Sequence, residues 1–305
     1  MILFLTTQYS GSSDCLMEIF EQRKISAFRF NFDLFDKYKF EWNNENFTII
    51  DPMGREVDSQ EISTVVCYKA LLVSYNFADF ESTHTEGVWL KSQMNYLYCC
   101  MVKHADERHL LHLWQPLEER FPKTWQMLKA RKYFAVPDFK IFWGYNNSSH
   151  AVIVKTLAAR PLSDNSMFFA QKTDLADLDP AYPWFTQEIA DGNRDATVVY
   201  INGKVHCYQF ASERGSLTDW RVTQGTDANR WSAWDAGTEF EEKIRLYMKD
   251  LGLKFGRLDF IIGGKEPQFL EVNPCGQFGW LDDEKLTLHN EVVDAILDQS
   301  STVYL

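Results

Sequence analysis

The sequence predicts an α/β protein of about two domains, and three observations lead to this prediction. The chain has 305 residues, which is enough for about two domains with hydrophobic cores of their own. Apolar residues make up 45% of the chain and aromatic residues 15%, as in packed globular proteins. Strand-like and helix-like segments alternate along the first third of the chain, and the character of the sequence changes at Pro116.

The charge and the composition argue against two classes of partner. The chain has 31 lysine and arginine residues against 43 aspartate and glutamate residues, a net charge of -12. A general nucleic-acid binder needs a basic surface instead. The chain also has no run of roughly 18 or more apolar residues, so we expect no membrane-spanning segment. Neither a nucleic acid nor a membrane is therefore an expected partner.

The six cysteines favour a cytoplasmic protein. No two of them form a Cys-x-x-Cys pair, and the adjacent Cys99 and Cys100 suit neither a disulfide framework nor a zinc site. Residues 1–7 are too short and too uncharged to be a signal peptide. We therefore expect reduced thiols and a cytoplasmic location.

The first third of the chain is predicted to be an α/β unit. Strands are expected at 2–6, 27–32 and 64–68, a hairpin at 40–43 and 47–50, and helices at 13–22 and within 86–113. His104, His109 and His112 fall in the last segment. An exposed helix surface is favoured there over a metal site, because no carboxylate-rich pocket is predicted nearby.

The remainder of the chain is predicted to contain three helices and several strands. The predicted elements are a helix at 123–132, strands at 140–143, 151–155 and 185–190, a polar loop at 156–170, strands at 197–201 and 204–211, a helix at 240–252, strands at 258–262 and 267–272, and a helix at 291–298. Asn202-Gly203 between two alternating runs is among the strongest hairpin signals, and Asp191-Gly192 predicts a turn.

Polar side chains on two neighbouring strands are the most informative feature. Arg257 and Asp259 share one strand face, as do Glu271 and Asn273, because side chains alternate with a period of two. A hairpin would bring the two faces together. Two carboxylates and a carboxamide are ligands that suit Mg²⁺. From the residues alone, a hairpin with an ordinary polar outer face stays an open alternative.

The Arg-x-Asp and Glu-x-Asn-Pro segments resemble the metal-binding end of the ATP-grasp superfamily. The segments Asp219-Trp220-Arg221 and 276–280 resemble the peptide maturases of that superfamily that make graspetides, which are microviridin-type ribosomal peptides. The resemblance covers residues 122–280. It implies an ATP-grasp fold with an N-terminal pre-ATP-grasp α/β domain at 1–117, a central lobe at 118–190, and a C-terminal lobe with the metal site at 191–305.

The resemblance also implies roles for individual residues, with ATP and Mg²⁺ as cofactors. By this likeness the metal ligands are Asp259, Glu271 and Asn273; the phosphate-binding lysines are Lys123 and Lys155; the adenine site is formed by Gln187, Glu188 and the backbone of Ala190; the ribose ligand is Asp195; and the arginines facing the γ-phosphate and the acyl phosphate are Arg221 and Arg257. Taken alone, Lys155 is an ordinary exposed lysine, and Cys275 is a small residue in a tight turn rather than a nucleophile.

The sequence departs from the family pattern at two places. Thr197 stands where graspetide ligases often have an arginine, two residues after the acidic ribose position, and Arg194 instead precedes Asp195. The loop at 156–170 contains no glycine, so it is not a glycine-rich phosphate cradle.

The resemblance implies a ligase that activates a carboxylate as an acyl phosphate. The leading hypothesis is a macrocyclase that joins acidic side chains of a precursor peptide, which has a leader and an acidic core, to hydroxyls or amines. Four arginines are candidates to gather the carboxylates of this peptide: Arg160, Arg214, Arg221 and Arg257. A ligase acting on a small carboxylate or peptide terminus, and a regulatory nucleotide-binding module, stay as alternatives, and a homodimer stays open.

Overall fold

The computed structural model describes residues 1–8, 10–68, 70, 84–108, 111–113, 121–145, 148–157, 168, 170–213 and 230–298. Contacts within the chain divide it into two units, one made of Met1–Gln115 with Gln277–Leu305 and the other of Pro116–Gly276. The segment from Gln277 onward thus belongs with the N-terminal residues. The predicted three-part division, with bounds at 117 and 190, stays a prediction.

The first unit contains strands and helices from both ends of the chain. Its elements are β1 (Ile2–Thr6), α1 (Gly11–Gln22), β2 (Ala27–Asn31), β3 (Lys39–Trp42), β4 (Phe47–Ile50), β5 (Glu56–Asp58), β6 (Thr64–Cys67), α2 (His84–Glu107) and β7 (Leu111–Leu113), with a C-terminal helix at Thr287–Leu297.

The second unit contains most of the antiparallel strands. Its elements are α3 (Lys123–Ala130), β8 (Phe139–Phe142), β9 (Ala151–Lys155), β10 (Gln171–Asp174), β11 (Trp184–Gln187), β12 (Gly192–Ile201), β13 (Lys204–Phe210), β14 (Trp231–Ala233), α4 (Thr238–Asp250), β15 (Phe255–Gly263) and β16 (Gln268–Asn273). The C-terminal helix at Thr287–Leu297 is then α5.

A parallel sheet with the order β2-β1-β6-β7 forms the centre of the first unit. All five residues of β1 are buried, as its continuous apolar sequence predicts. Helices α1 and α5 pack against each other, and Phe20 of α1 contacts Phe4 of β1 edge to face. A second sheet, with the order β3-β4-β5, is antiparallel and includes the predicted hairpin.

Two antiparallel sheets form the second unit, with the orders β10-β9-β11-β8 and β14-β13-β12-β15-β16. The core lies between the larger sheet and helices α3 and α4, where Met127, Ile244 and Tyr247 pack with Leu258 and Phe260 of β15. Because strand side chains alternate, Asp259, between Leu258 and Phe260, faces the other side of this sheet. That side carries the candidate site.

Several sequence-based expectations are wrong in detail. Residues 111–113 form strand β7 rather than the end of a helix, so His112 lies in a strand, while His109 lies outside the described residues. Strand β11 ends at Gln187 and not at residue 190, although Glu188 still donates its backbone N–H to the backbone oxygen of Asp138, just before β8. Much of the predicted loop at 156–170 also lies outside the described residues.

Helix α5 begins four residues earlier than predicted, and its start is set by two aspartates. Asp282 accepts hydrogen bonds from the backbone N–H groups of Leu288 and His289, and Asp283 accepts one from Thr287. These bonds satisfy donors that the first helical turn leaves without intrahelical partners. None of the helices described in the structure is both long and apolar enough to cross a membrane.

Candidate functional site

The polar residues of β15 and β16 lie side by side in the larger sheet. Asp259 is paired with Glu271, and Arg257 with Asn273, in the register of the two strands. The register confirms that the four side chains share one sheet face, as the alternation of the sequence predicts. Whether they bind a metal is a separate question, and that role stays a prediction.

A break in the register at Leu270 makes this arrangement compatible with the core. Phe260 is paired with Phe269, whereas its neighbour Asp259 is paired with Glu271, so Leu270 is an extra residue. In a regular strand without a bulge, Phe269 and Glu271 would face the same side, because they are two residues apart. The bulge instead lets Phe269 be fully buried in the core while Glu271 faces the site.

Asp259 is held by three neighbouring side chains. Arg257 donates from Nη2 to Asp259 Oδ2 at 3.0 Å and from Nε to Oδ1 at 3.3 Å. Thr197 of β12 donates from Oγ1 to Asp259 Oδ1 at 2.9 Å. Asn273 Nδ2 lies 3.4 Å from Asp259 Oδ2 and 3.2 Å from Glu271 Oε1, so the amide bridges the two carboxylates.

Lys123 reaches the same cluster from the first turn of helix α3. Its Nζ lies 3.8 Å from Glu271 Oε2, and both side chains are about three-quarters buried or more. Gln126, one turn further along α3, fixes the helix to β16, because its Oε1 accepts the backbone N–H of Val272 at 3.2 Å. The predicted phosphate lysine is therefore next to a predicted metal ligand.

The donor set fits a divalent cation that is shared with a phosphate. The described residues contain no group of three or more His, Cys, Asp or Glu side chains suited to a metal, and this site offers two carboxylates and one amide. Mg²⁺ usually takes one or two carboxylates and completes its shell with water and substrate phosphates. The amide of Asn273 now turns its nitrogen toward the carboxylates, so it would have to turn over to offer its oxygen.

A second group of predicted residues lies in the smaller sheet. Lys155 at the end of β9 donates from Nζ to Gln187 Oε1 of β11 at 3.2 Å. Gln187 is 2% exposed, and its Nε2 has no hydrogen-bond partner among the residues that the structure describes. Because the lysine can only donate, the amide oxygen must face it, and the buried Nε2 is left as a donor without an acceptor. Such a group costs about 1–3 kcal/mol until an acceptor is supplied.

The other predicted nucleotide residues lie in or beside β11 and β12. Glu188 follows the end of β11 and pairs with His150, whose Nε2 is 2.8 Å from Glu188 Oε2. Ala190 lies in the connection between β11 and β12. Asp195 of β12 is buried and lies two residues before Thr197, so both face the same side of the sheet.

Some predicted residues lie outside the described part of the chain. These residues are Arg160, Arg214, Asp219, Trp220 and Arg221. Cys275 is described, and it is buried in the turn after β16, where Gly276 donates its backbone N–H to Asn273. A Cβ on Gly276 would lie 2.5 Å from Arg257 Cβ, so a glycine is needed beside the site.

Three residues of the site were not predicted: Thr197 as a donor to Asp259, Gln126 as the link between α3 and β16, and His150 as the partner of Glu188. Each contact joins residues that are 38 or more positions apart in the chain. A local sequence pattern carries no signal for such contacts.

Comparison with known proteins gives a match in structure only. The sequence matches no protein-family model and no curated protein. A RiPP-associated ATP-grasp ligase of Chryseobacterium gregarium, solved with ADP and with a leader and core peptide, has a TM-score of 0.80 and 17% identity over 98% of this chain and 96% of that one. The macrocyclase MdnC of Microcystis aeruginosa, bound with precursor peptide MdnA, has a TM-score of 0.77 and 19% identity, over 97% of this chain and 99% of that one.

A third structure agrees with these two. The ATP-grasp ligase PsnB, complexed with a minimal precursor, Mg and ADP, has a TM-score of 0.68 and 16% identity, with 98% of each chain covered. The likeness thus extends over nearly the whole length of all three proteins and includes both units. The chain therefore has the ATP-grasp fold, as its sequence predicts.

Proposed function

We propose that this protein is an ATP-dependent ligase that activates a carboxylate as an acyl phosphate. The observation that carries the proposal is the cluster of polar side chains on the face of β15 and β16 that lies opposite the core. There two carboxylates and an amide lie within hydrogen-bond reach of one another, with Arg257 and Lys123 at their edges. Two negative and two positive side chains balance in charge. An added metal would supply positive charge and an added nucleotide negative charge, so the two would bind together.

Asp259, Glu271 and Asn273 would hold Mg²⁺ in this proposal. Their donor types fit a cation that also takes oxygens from the phosphates of ATP. When bound, the ion would neutralise charge on the phosphates during transfer. Lys123 would then give up its pairing with Glu271 and meet a phosphate instead, as a lysine can do with its point charge.

ATP would extend from this cluster to the smaller sheet. Lys155 would meet the α- and β-phosphates, and the buried Nε2 of Gln187 would donate to a ring nitrogen of adenine, which is an acceptor. This proposal is supported by the unpartnered state of Nε2 among the described residues. Glu188 and the backbone of Ala190 would complete the adenine site, and Asp195 would accept hydrogen bonds from the ribose hydroxyls.

The reaction requires little covalent chemistry from the protein. An oxygen of the substrate carboxylate bonds to the γ-phosphorus while the bond to ADP breaks, which gives an acyl phosphate. A hydroxyl or amine then attacks the carbonyl carbon, loses its proton, and phosphate leaves. Arg257, and Arg221 by the family resemblance, would stabilise the charge on the transferred group, which is the main requirement of such a transfer.

The proposed substrate is a ribosomal precursor peptide with a leader and an acidic core, in which side-chain ester or amide links are formed. The support is the similarity to structures solved with leader, core and precursor peptides, together with the graspetide-like motifs of the sequence. A ligase for a small carboxylate or a peptide terminus is the second candidate, because the site by itself does not distinguish the two. The six cysteines are thiols rather than disulfides, which supports a cytoplasmic location.

Mass spectrometry tests this proposal. Leader-bearing peptides rich in Asp, Glu, Ser, Thr and Lys are incubated with the protein, ATP and Mg²⁺, and ADP is measured in parallel. We expect the loss of one water for each ring and one ADP for each water lost. The matched control is Glu271→Gln, which should show neither. Release of ADP with free amino acids or short peptides, and no water loss from the leader-bearing peptides, would favour the small-substrate ligase.

A further inference from the structure

Thr197 lies directly opposite Asp259 in the register of β12 and β15. Its hydroxyl donates to Asp259 Oδ1 at 2.9 Å, while the backbone oxygen of Leu258 is more distant, at 3.3 Å. Thr197 is 1% exposed, so bulk water does not compete for its single hydroxyl proton. A hydrogen bond to a charged carboxylate is stronger than one to a neutral carbonyl, so the bond to Asp259 is the dominant one.

The two oxygens of Asp259 face different neighbours. Oδ1 accepts from Thr197, whereas Oδ2 lies beside Asn273, which in turn contacts Glu271. Oδ2 is therefore the oxygen on the side of the other two candidate ligands. The hydroxyl of Thr197 holds the carboxylate from the opposite side and leaves Oδ2 directed toward them.

Arg257 cannot hold the Asp259 carboxylate in place of Thr197 if Arg257 also meets the transferred phosphoryl group. At present Arg257 contacts both oxygens of Asp259, and turning toward a phosphate would remove these bonds. Among the described residues, Thr197 would then be the remaining donor to Oδ1, and its burial in the sheet fixes it there. Thr197 also stands at the position where the family often has an arginine. In this chain the residue at that position donates a hydrogen bond to Asp259.

Resting on the proposed function, we propose that Thr197 is a positioning residue that orients the metal ligand Asp259. Groups that hydrogen-bond to a metal ligand fix its orientation, and their loss typically lowers metal affinity by about 10–100-fold. Thr197→Val tests the hydroxyl alone, because valine has nearly the same shape and fits a strand. Thr197→Ser keeps the donor and should restore binding.

The measurement is the affinity for Mn²⁺ in the presence of ADP, followed by the electron paramagnetic resonance signal of free Mn²⁺. We expect Thr197→Val to bind Mn²⁺ about 10–100-fold more weakly than the wild type and Thr197→Ser to bind within a few-fold of it. Thr186→Val is the matched control, because Thr186 is also buried in a strand but its hydroxyl faces the backbone of Lys140 in the smaller sheet. Its Mn²⁺ affinity should be unchanged. Circular dichroism confirms that each variant is folded.

Asp259→Asn separates this inference from the proposed function. If Asp259→Asn weakens Mn²⁺ binding and Thr197→Val does not, the positioning role is wrong while the metal site stands. A Thr197→Ser variant as weak as Thr197→Val would also overturn the role, because the hydroxyl would not be the cause. If Asp259→Asn itself binds Mn²⁺ like the wild type, the metal assignment fails and the role of Thr197 fails with it.

Discussion

Replacing Gln126 with leucine should destabilise the second unit, because the side chain joins helix α3 to the edge strand β16. Gln126 is 5% exposed. Its Oε1 accepts the backbone N–H of Val272 at 3.2 Å, and its Nε2 donates to the backbone oxygen of Phe121 at 2.9 Å. Leucine has a similar size but makes neither bond, so both backbone groups lose their partner.

The magnitude follows from these two bonds. Leaving a buried donor or acceptor without a partner costs about 1–3 kcal/mol each, and the apolar leucine recovers roughly 1 kcal/mol by its burial. The expected loss in the free energy of unfolding is about 1–5 kcal/mol. With a slope of roughly 2 kcal/mol per molar urea, the unfolding midpoint should fall by about 0.5–2.5 M.

Urea unfolding followed by circular dichroism measures this loss. The matched control is Gln93→Leu, the same change at an exposed position of helix α2, which should shift the free energy of unfolding by less than about 0.5 kcal/mol. If Gln126→Leu unfolds at the wild-type midpoint, Gln126 does not hold α3 to β16, and the placement of Lys123 beside Glu271 loses its structural reason.

Three further predictions concern the site and the C-terminal helix. Glu271→Gln and Asn273→Ala should remain folded but lose ATP turnover. Each change removes a proposed metal ligand and with it several kcal/mol of charge stabilisation in the transition state. Wild-type, Mg²⁺-dependent turnover in both variants would contradict the metal assignment. Lys155→Ala should steeply raise the ATP concentration needed for turnover, because a phosphate contact is lost, while the circular dichroism spectrum stays unchanged. An unaltered ATP affinity would make Lys155 an ordinary surface residue. Asp282→Asn should lower the free energy of unfolding by about 2 kcal/mol at about pH 7, and the deficit should shrink below about pH 4. Burial raises the pKa of Asp282, but hydrogen bonds from the ring and backbone of His289 and from Leu288 outweigh it, so the pKa is lowered. A carboxylate with a lowered pKa stabilises the fold above its unfolded pKa and loses this effect as pH falls. If Asp282→Asn lowers the free energy of unfolding equally at about pH 7 and about pH 3, this prediction is wrong.

The sequence predicts the hairpin of Asp259 and Glu271 well, because alternation with a period of two is a local property of a strand. Asp259 and Arg257 are separated by one residue, as are Glu271 and Asn273, and the register pairs them. The sequence also contains a signal for the bulge at Leu270. Phe269 and Glu271 are two residues apart, and an unbroken strand would place both on one face, although one is apolar and the other charged.

Contacts between distant segments could not be predicted in the same way. Thr197 meets Asp259 only because β12 and β15 pair in one register, and no local pattern near either residue fixes that register. The same holds for β7, a strand of three residues that lies beside β6. Its sequence continues a helical pattern, but pairing with a buried parallel strand overrides the local preference. The assignment of residues 277–298 to the first unit is likewise non-local.

Nucleotide binding tests the proposed ATP and Mg²⁺ site without any substrate. Calorimetric titration of the protein with ADP, with Mg²⁺ present and then with Mg²⁺ removed by a chelator, is carried out for the wild type, Lys155→Ala and Glu271→Gln. We expect one nucleotide bound per chain, weaker binding by Lys155→Ala in both conditions, and a loss of affinity in Glu271→Gln that appears only with Mg²⁺. No binding of ADP to the wild type, or binding that neither substitution changes, would contradict the proposed site.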